Sequence, residues 1–223
     1  MTILEAIAAR HSVRNYQDKP IPAETADALR AEIDACNRES GLHIQLVTGE
    51  PKAFDGIMAH YGKFSGVQNY IALVGKKSAG LDEALGYYGE RIVLKAQTLG
   101  LNTCWVAMTF SKGAAKKHIA AGAGEKLALV IALGYGTTPG AAHKTKPMEA
   151  LCAAAGDMPA WFRSGMEAAM LTPTAVNQQK FRLSLSGGAV KIENLGGLYS
   201  GIDLGIVKYH FEAGAGKDHF RWA

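Results

Sequence analysis

Two short stretches restrict what this chain can fold into: 70–74 (YIALV) and 127–134 (LALVIALG), which are apolar throughout. Each suits a β-strand covered on both faces, and neither approaches the ~20 residues that a membrane-spanning helix needs. Between them runs the longest helical pattern, 81–99, closed by Gly100 as a left-handed cap. Buried strands separated by helices call for a sheet with helices on its faces, of α/β or α+β class. A chain of 223 residues can bury one sizeable core, and a 48% hydrophobic, 20% charged composition excludes a disordered chain.

The remaining pattern fills in the elements. Thr2 and Glu5 form a capping box ahead of a short helix that ends near Arg10. A helix is expected over 23–38, a strand over 43–48, a short helix over 54–60 and a strand over 103–108. Ser111 reads as the N-cap of a helix reaching 120. A glycine- and lysine-bearing loop spans 134–147, and a helix over 158–171 is broken by Pro173. Strands 181–185 and 190–193 make a hairpin through Gly187-Gly188, followed by a helix over 199–212 and an edge strand over 220–222.

Charge and cysteine usage exclude several functions. With 24 basic and 20 acidic side chains the net charge is +4, and the densest basic cluster, 112–117, is interrupted by glycine and alanine. That is no contiguous stripe for nucleic acid. Cys36, Cys104 and Cys152 lie far apart without a Cys-x-x-Cys pair, so reduced thiols in a cytoplasmic protein are expected. The opening MTILEAIAARH has no basic n-region and carries Glu5, which does not suit a secretory signal. The seven histidines include no His-Glu-x-x-His, and no metal site is expected. GAGK at 214–217 lacks the glycine spacing and the following hydroxyl residue of a phosphate loop.

Two segments carry chemistry. In the turn after the first helix, Arg10 and Arg14 flank Ser12, offering two guanidinium forks and a hydroxyl that match a phosphate monoester. The same spacing also suits a solvated basic turn, where arginine favours the helix C-terminal dipole. In TPTAVNQQKF (172–181), the amides of Asn177 and Gln179 can read the polar edge of a flat heterocycle, or can cap their own loop.

Together these segments resemble the nitroreductase flavoenzymes. RHSVRNY (10–16) resembles that family's Arg-[Arg/His]-Ser-x-[Arg/Lys]-x-[Phe/Tyr] opening, and TPTAVNQQKF its Pro-Ser-x-x-Asn-x-Gln-Pro-Trp segment. GLNTCWV (100–106) resembles its strand entry after the central helix, and LGYG (133–136), followed by Lys144 and Lys146, its Leu-Gly-Tyr strand end. The resemblance implies an α+β fold with a mixed, mainly antiparallel sheet flanked by helices. It implies one such domain over 1–223, or two pseudo-related lobes over 1–155 and 156–223. It further implies a homodimer with FMN bound non-covalently.

By position, the resemblance implies that Arg10, Ser12 and Arg14 hold the FMN phosphate and ribityl chain, with His11 contributing main-chain contacts. Lys144 or Lys146 adds charge at the phosphate. Thr174, Asn177 and Gln179, the last two from the partner subunit, face the flavin's pyrimidine side. The backbone around Thr103, Cys104 and Trp105 approaches N5, and Lys63, Gln68 and Asn69 are weaker polar candidates. The implied activity is hydride transfer from NAD(P)H to an electron-poor acceptor, such as a nitroaromatic or quinone, in ping-pong turnover. The flavin performs the chemistry without a catalytic side chain. A flavin-binding protein for storage or sensing, or a flavin enzyme that dehalogenates or dehydrogenates, shares the same motifs. Two departures stand out. The Asn177 segment follows the first motif by more than 150 residues, an order like that of a smaller nitroreductase branch, and Gln179-Lys180-Phe181 replaces Gln-Pro-Trp.

Overall fold

The apolar run at 70–74 lies in an eight-residue strand whose first seven residues are all buried, as a strand covered on both faces must be. The computed structural model describes residues 1–154 and 158–223. In chain order the elements begin with α1 (Ile3–Ala9), α2 (Ala23–Ser40), β1 (Gln45–Val47), α3 (Ile57–Tyr61), β2 (Asn69–Lys76) and α4 (Leu81–Thr98). There follow β3 (Asn102–Val106), α5 (Lys112–Ala115), β4 (Glu125–Gly134), α6 (Met148–Leu151) and β5 (Cys152–Ala154). The chain ends with α7 (Ala160–Ala169), β6 (Phe181–Ser186), β7 (Ala189–Asn194), α8 (Ser200–Ala215) and β8 (Arg221–Trp222). This is an α+β fold with mainly antiparallel strands flanked by helices. It comprises two compact units.

One unit holds Arg10–Leu81 and Ile92–Ala141. Its strands lie in the order β1-β2-β4-β3, every pair antiparallel, with Tyr70 opposite Ala132 and Thr103 opposite Leu133. Its core includes Phe54, Phe64, Tyr70, Val106, Phe110 and Val130, with the Phe54 and Phe64 rings edge to face at 5.3 Å. The other unit holds Met1–Ala9, Asp82–Arg91 and Ala142–Ala223, with strand order β5-β6-β7-β8. There β6 and β7 form the expected hairpin. Gly187 and Gly188 both take positive φ (56° and 76°), the backbone that a two-residue reversal between twisted strands requires. Phe162, Phe181, Leu183 and Phe211 centre its core.

Buried polar groups fasten this second unit. His210 and Glu90 are both fully buried; His210 Nε2 lies 2.9 Å from Glu90 Oε1, and its Nδ1 3.0 Å from the Ala168 carbonyl. Tyr87 donates to Glu212, which also accepts from Trp222 Nε1 at 2.8 Å. Burial, followed by the bond to Glu212, pushes the Tyr87 hydroxyl up to about 12.

Three expectations change. The helix after Ser111 keeps its cap, with Ser111 Oγ accepting from Ala114 N, but α5 stops at Ala115 and a 3₁₀ turn ends at His118 rather than at 120. Gly113 and the like charges at Lys112 and Lys116, four apart, disfavour its continuation. The strand expected over 103–108 ends at Val106. The strands form two sheets, and β5, paired parallel to β6, adds a strand that the pattern did not mark. The lobe boundary expected between 155 and 156 lies outside the described residues.

Candidate functional site

The arginine turn is held in place by strand-like pairing. Arg10 follows directly on α1, and Ser12 bridges to Thr103 of β3 in parallel sense, with Val13 N donating to the Thr103 carbonyl at 3.0 Å. Further along, Ser65 N donates to Arg14 O, Tyr16 N to Ser65 O and Gln17 N to Tyr135 O. Backbone bonding therefore fixes the segment at several successive residues. The Arg14 guanidinium lies 6.0 Å from the centre of the Phe64 ring.

The charges and the hydroxyl of this turn act electrostatically on Cys104. Burial pushes the Cys104 thiol up, while the Arg14 charge, a hydrogen bond from Ser12 and the Arg10 charge pull it down. Arg10, Ser12 and Arg14 thus act on one point beside β3. Arg10 is 3% exposed, whereas Ser12 is half-buried and Arg14 exposed, so the cluster grades from interior to surface. Thr103 is buried and Trp105 half-buried on the same strand. Two guanidinium groups and a hydroxyl on a fixed backbone form a donor set suited to a tetrahedral oxyanion. His11 is half-buried between Arg10 and Ser12.

The weaker candidates lie in the same unit as the arginine turn. Gln68 donates to Asp18, while Asn69 accepts from Gly49 N at 3.1 Å and its Nδ2 lies 3.5 Å from the Leu133 carbonyl. Lys63 is exposed, with a left-handed φ of 60° at the turn after α3.

The second set of expected residues gathers in the other unit. Gln179 Oε1 accepts from Lys146 N at 2.8 Å, and its Nε2 donates to the Lys144 carbonyl and to Asn177 Oδ1, each at 2.9 Å. Asn177 Nδ2 also donates to the Lys144 carbonyl, Gln179 N to Thr174 Oγ1, and the Lys146 ammonium to the carbonyls of Gln178 and Gln179. Five expected residues therefore form one knot. Its backbone is costly: Val176, Asn177 and Gln179 take φ of 46°, 55° and 45°. Such values are uncommon in residues other than glycine, most of all in β-branched valine, and cost on the order of 1–3 kcal/mol each where the surroundings enforce them.

Asp203, in the first turn of α8, enforces them in part. Its Oδ1 accepts from Ala175 N at 3.0 Å and its Oδ2 from Gln178 Nε2 at 2.7 Å. Burial raises this carboxyl to about 6, against the opposing pull of both hydrogen bonds. Sequence reasoning passed over Asp203. The available signal was a lone acid inside the apolar run GIDLGIV (201–207).

Among the described residues no helix is long and apolar enough to cross a membrane, and no three His, Cys, Asp or Glu side chains gather as a metal site.

The fold is that of the nitroreductases. A structure from Thermotoga maritima MSB8, described as a putative nitroreductase, matches with a TM-score of 0.65 at 24% identity, covering 96% of this chain and 83% of its own. A Desulfovibrio desulfuricans structure, described as a putative nitroreductase in complex with FMN, matches with a TM-score of 0.52 at 23% identity, covering 68% of this chain and 95% of its own. The family model described as "Putative TM nitroreductase" matches residues 2–215, and the chain belongs to that family. A comparison with curated proteins gave no match.

Proposed function

We propose that this protein is an FMN-dependent oxidoreductase that passes hydride from NAD(P)H to an electron-poor acceptor, such as a nitroaromatic or quinone, by ping-pong turnover. The observation that carries the reading is the pairing of the 10–14 turn with β3, which fixes the backbone bearing Arg10, Ser12 and Arg14 beside Thr103. The donor set fits the cofactor: a phosphate monoester is a dianion with several oxygens, and two guanidinium forks with a hydroxyl meet that need. FMN, when bound, supplies reversible two-electron chemistry at its ring.

The chain's own residues bind and orient. Arg10 and Arg14 would neutralise the phosphate while Ser12 would donate to it, and the backbone of Thr103, Cys104 and Trp105 would flank the ring. Asn177 and Gln179, supplied by the partner subunit, would face the pyrimidine side, on a loop that the Lys146 ammonium and Asp203 hold in its left-handed conformation. Lys144, exposed beside them, adds positive charge. We assign a homodimer and a cytoplasmic location on the family resemblance and the reduced cysteines. Light scattering checks the dimer.

The experiment for the activity is an anaerobic titration. Purified protein should carry a visible flavin band, release FMN on denaturation, lose the band on adding NADH or NADPH, and regain it with a quinone or nitroaromatic. A flavin band that neither nucleotide bleaches favours a storage or sensing protein. Colourless material that cannot be reconstituted with FMN overturns the reading.

A further inference from the structure

The lysines that the sequence scatters come together in one place. A cleft of about 440 Å³ is lined by Lys77, Lys112, Lys116 and Lys126. They arrive from three places: Lys77 directly after β2, Lys112 and Lys116 from α5 and the turn after it, and Lys126 from the start of β4. Antiparallel pairing of Lys76 with Glu125 and of Gly75 with Lys126 makes neighbours of segments about fifty residues apart in the chain.

The lining contains one acid, Glu125, and its carboxylate is engaged. It accepts from Gly122 N at 2.6 Å and lies 2.9 Å from His43 Nδ1, contacts that hold it below the usual carboxylate range. Four ammonium groups against one carboxylate leave a local excess of three positive charges, on a chain whose formal net charge is +4. Like charges held together repel, and with burial as the largest cause the Lys112 ammonium is drawn below its ordinary range, Lys116 and Lys126 adding to the effect. A bound anion would relieve that repulsion.

The cleft is separate from the arginine cluster. Glu125 and Lys126 begin β4, whereas Thr103, beside Ser12, pairs with Leu133 near its end. Eight residues of strand separate Glu125 from Leu133, roughly 27 Å at ~3.4 Å per residue. The volume lies within the roughly 300–1,000 Å³ typical of small-molecule sites, larger than a lone phosphate needs. Ile119, half-buried, and the exposed Ala121 supply a small apolar edge beside the lysines.

We propose that this cleft binds an organic diphosphate or triphosphate, its phosphates against Lys77, Lys112, Lys116 and Lys126 and its organic part along Ile119 and Ala121. Lysine serves phosphate as a mobile point charge, which suits a chain of phosphates better than one fixed oxyanion. This proposal does not depend on the flavin reading.

The test is calorimetric titration of the protein as isolated, at low salt, with ADP, inorganic diphosphate and adenosine as probes. ADP should bind more tightly than diphosphate, and adenosine should not bind measurably. Lys112→Gln with Lys116→Gln, both at exposed positions, should weaken ADP by about tenfold or more, while Arg14→Ala should change it by less than about twofold. Lys112→Arg with Lys116→Arg, which keeps the positive charge, should hold ADP within about threefold of wild type. Absence of ADP binding at about 1 mM, binding that survives the double glutamine substitution, or binding abolished by Arg14→Ala overturns the proposal.

Discussion

Asp203→Asn isolates the electrostatic cost of the loop that carries Asn177 and Gln179. The wild-type carboxyl is 6% exposed and accepts two hydrogen bonds, at 3.0 and 2.7 Å. Burial outweighs those bonds, so the folded protein holds this proton to about pH 6, against 3.8 for an ordinary aspartate. Between those values the folded state carries more protons than the unfolded chain, and stability falls as pH rises. The group's favourable contribution is complete below the unfolded value and is lost as pH climbs through the folded one. At about 1.4 kcal/mol per pH unit, the interval amounts to about 3 kcal/mol. Asparagine has no such proton to lose. From about pH 4 to about pH 7, the stability of Asp203→Asn relative to wild type should therefore shift in the variant's favour by about 2–2.5 kcal/mol. Urea denaturation of both proteins across that range reads the difference, and other carboxyl groups cancel because both carry them. A difference that stays flat, or that moves towards wild type as pH rises, refutes the claim that burial dominates at this residue.

The other expectations concern the arginine turn and the packing of the helices. Arg10→Ala and Arg14→Ala should each weaken FMN by about 1.5–3 kcal/mol, the range for hydrogen bonds to charged groups, as measured by fluorescence titration of apoprotein. Unchanged affinity in both variants would remove the phosphate assignment. Glu90→Ala strips a hydrogen-bond partner from the fully buried His210 and should cost about 1–3 kcal/mol in urea unfolding; a loss below about 0.5 kcal/mol would count against that pairing. Gly205→Ala would set a methyl 2.0 Å from the Glu83 carbonyl and 2.5 Å from Tyr87 N, both backbone atoms of α4. The helices must separate, so a cost of at least about 1–3 kcal/mol is expected, and a neutral result would contradict the close approach.

Much of the architecture is legible in the chain because burial on both faces leaves no polar residue in the middle of a strand. The apolar run at 70–74 falls in β2 and that at 127–134 in β4, and Gly187-Gly188 marks its hairpin. Helix α5 is shorter than its cap suggests because helix propensity and charge repulsion act after the start signal. Strand β5 is three residues, Cys-Ala-Ala, too brief for any period to register. The division of α4, with Asp82–Arg91 in one unit and Ile92 onward in the other, leaves no local trace, since one helical period runs through both parts.

The candidate site divides in the same way. Arg10, Ser12 and Arg14 are readable as a cluster because they are close in the chain, and pairing of their turn with β3 fixes the backbone that carries them. Asp203 is not, because its role arises from tertiary burial against Ala175 and Gln178. The lysine cleft depends on β2 pairing with β4, which brings Lys77 and Lys126 to the broken cluster at 112–117.

The central claim is that the turn at 10–14 grips a phosphate, and the comparison of FMN with riboflavin tests it most directly. The two flavins differ only in that group. Two charge-assisted contacts of about 1.5–3 kcal/mol each predict that apoprotein binds FMN roughly 10²–10⁴-fold more tightly than riboflavin, with the preference collapsing in Arg10→Ala combined with Arg14→Ala. Equal affinity of the wild-type protein for the two flavins would contradict the account.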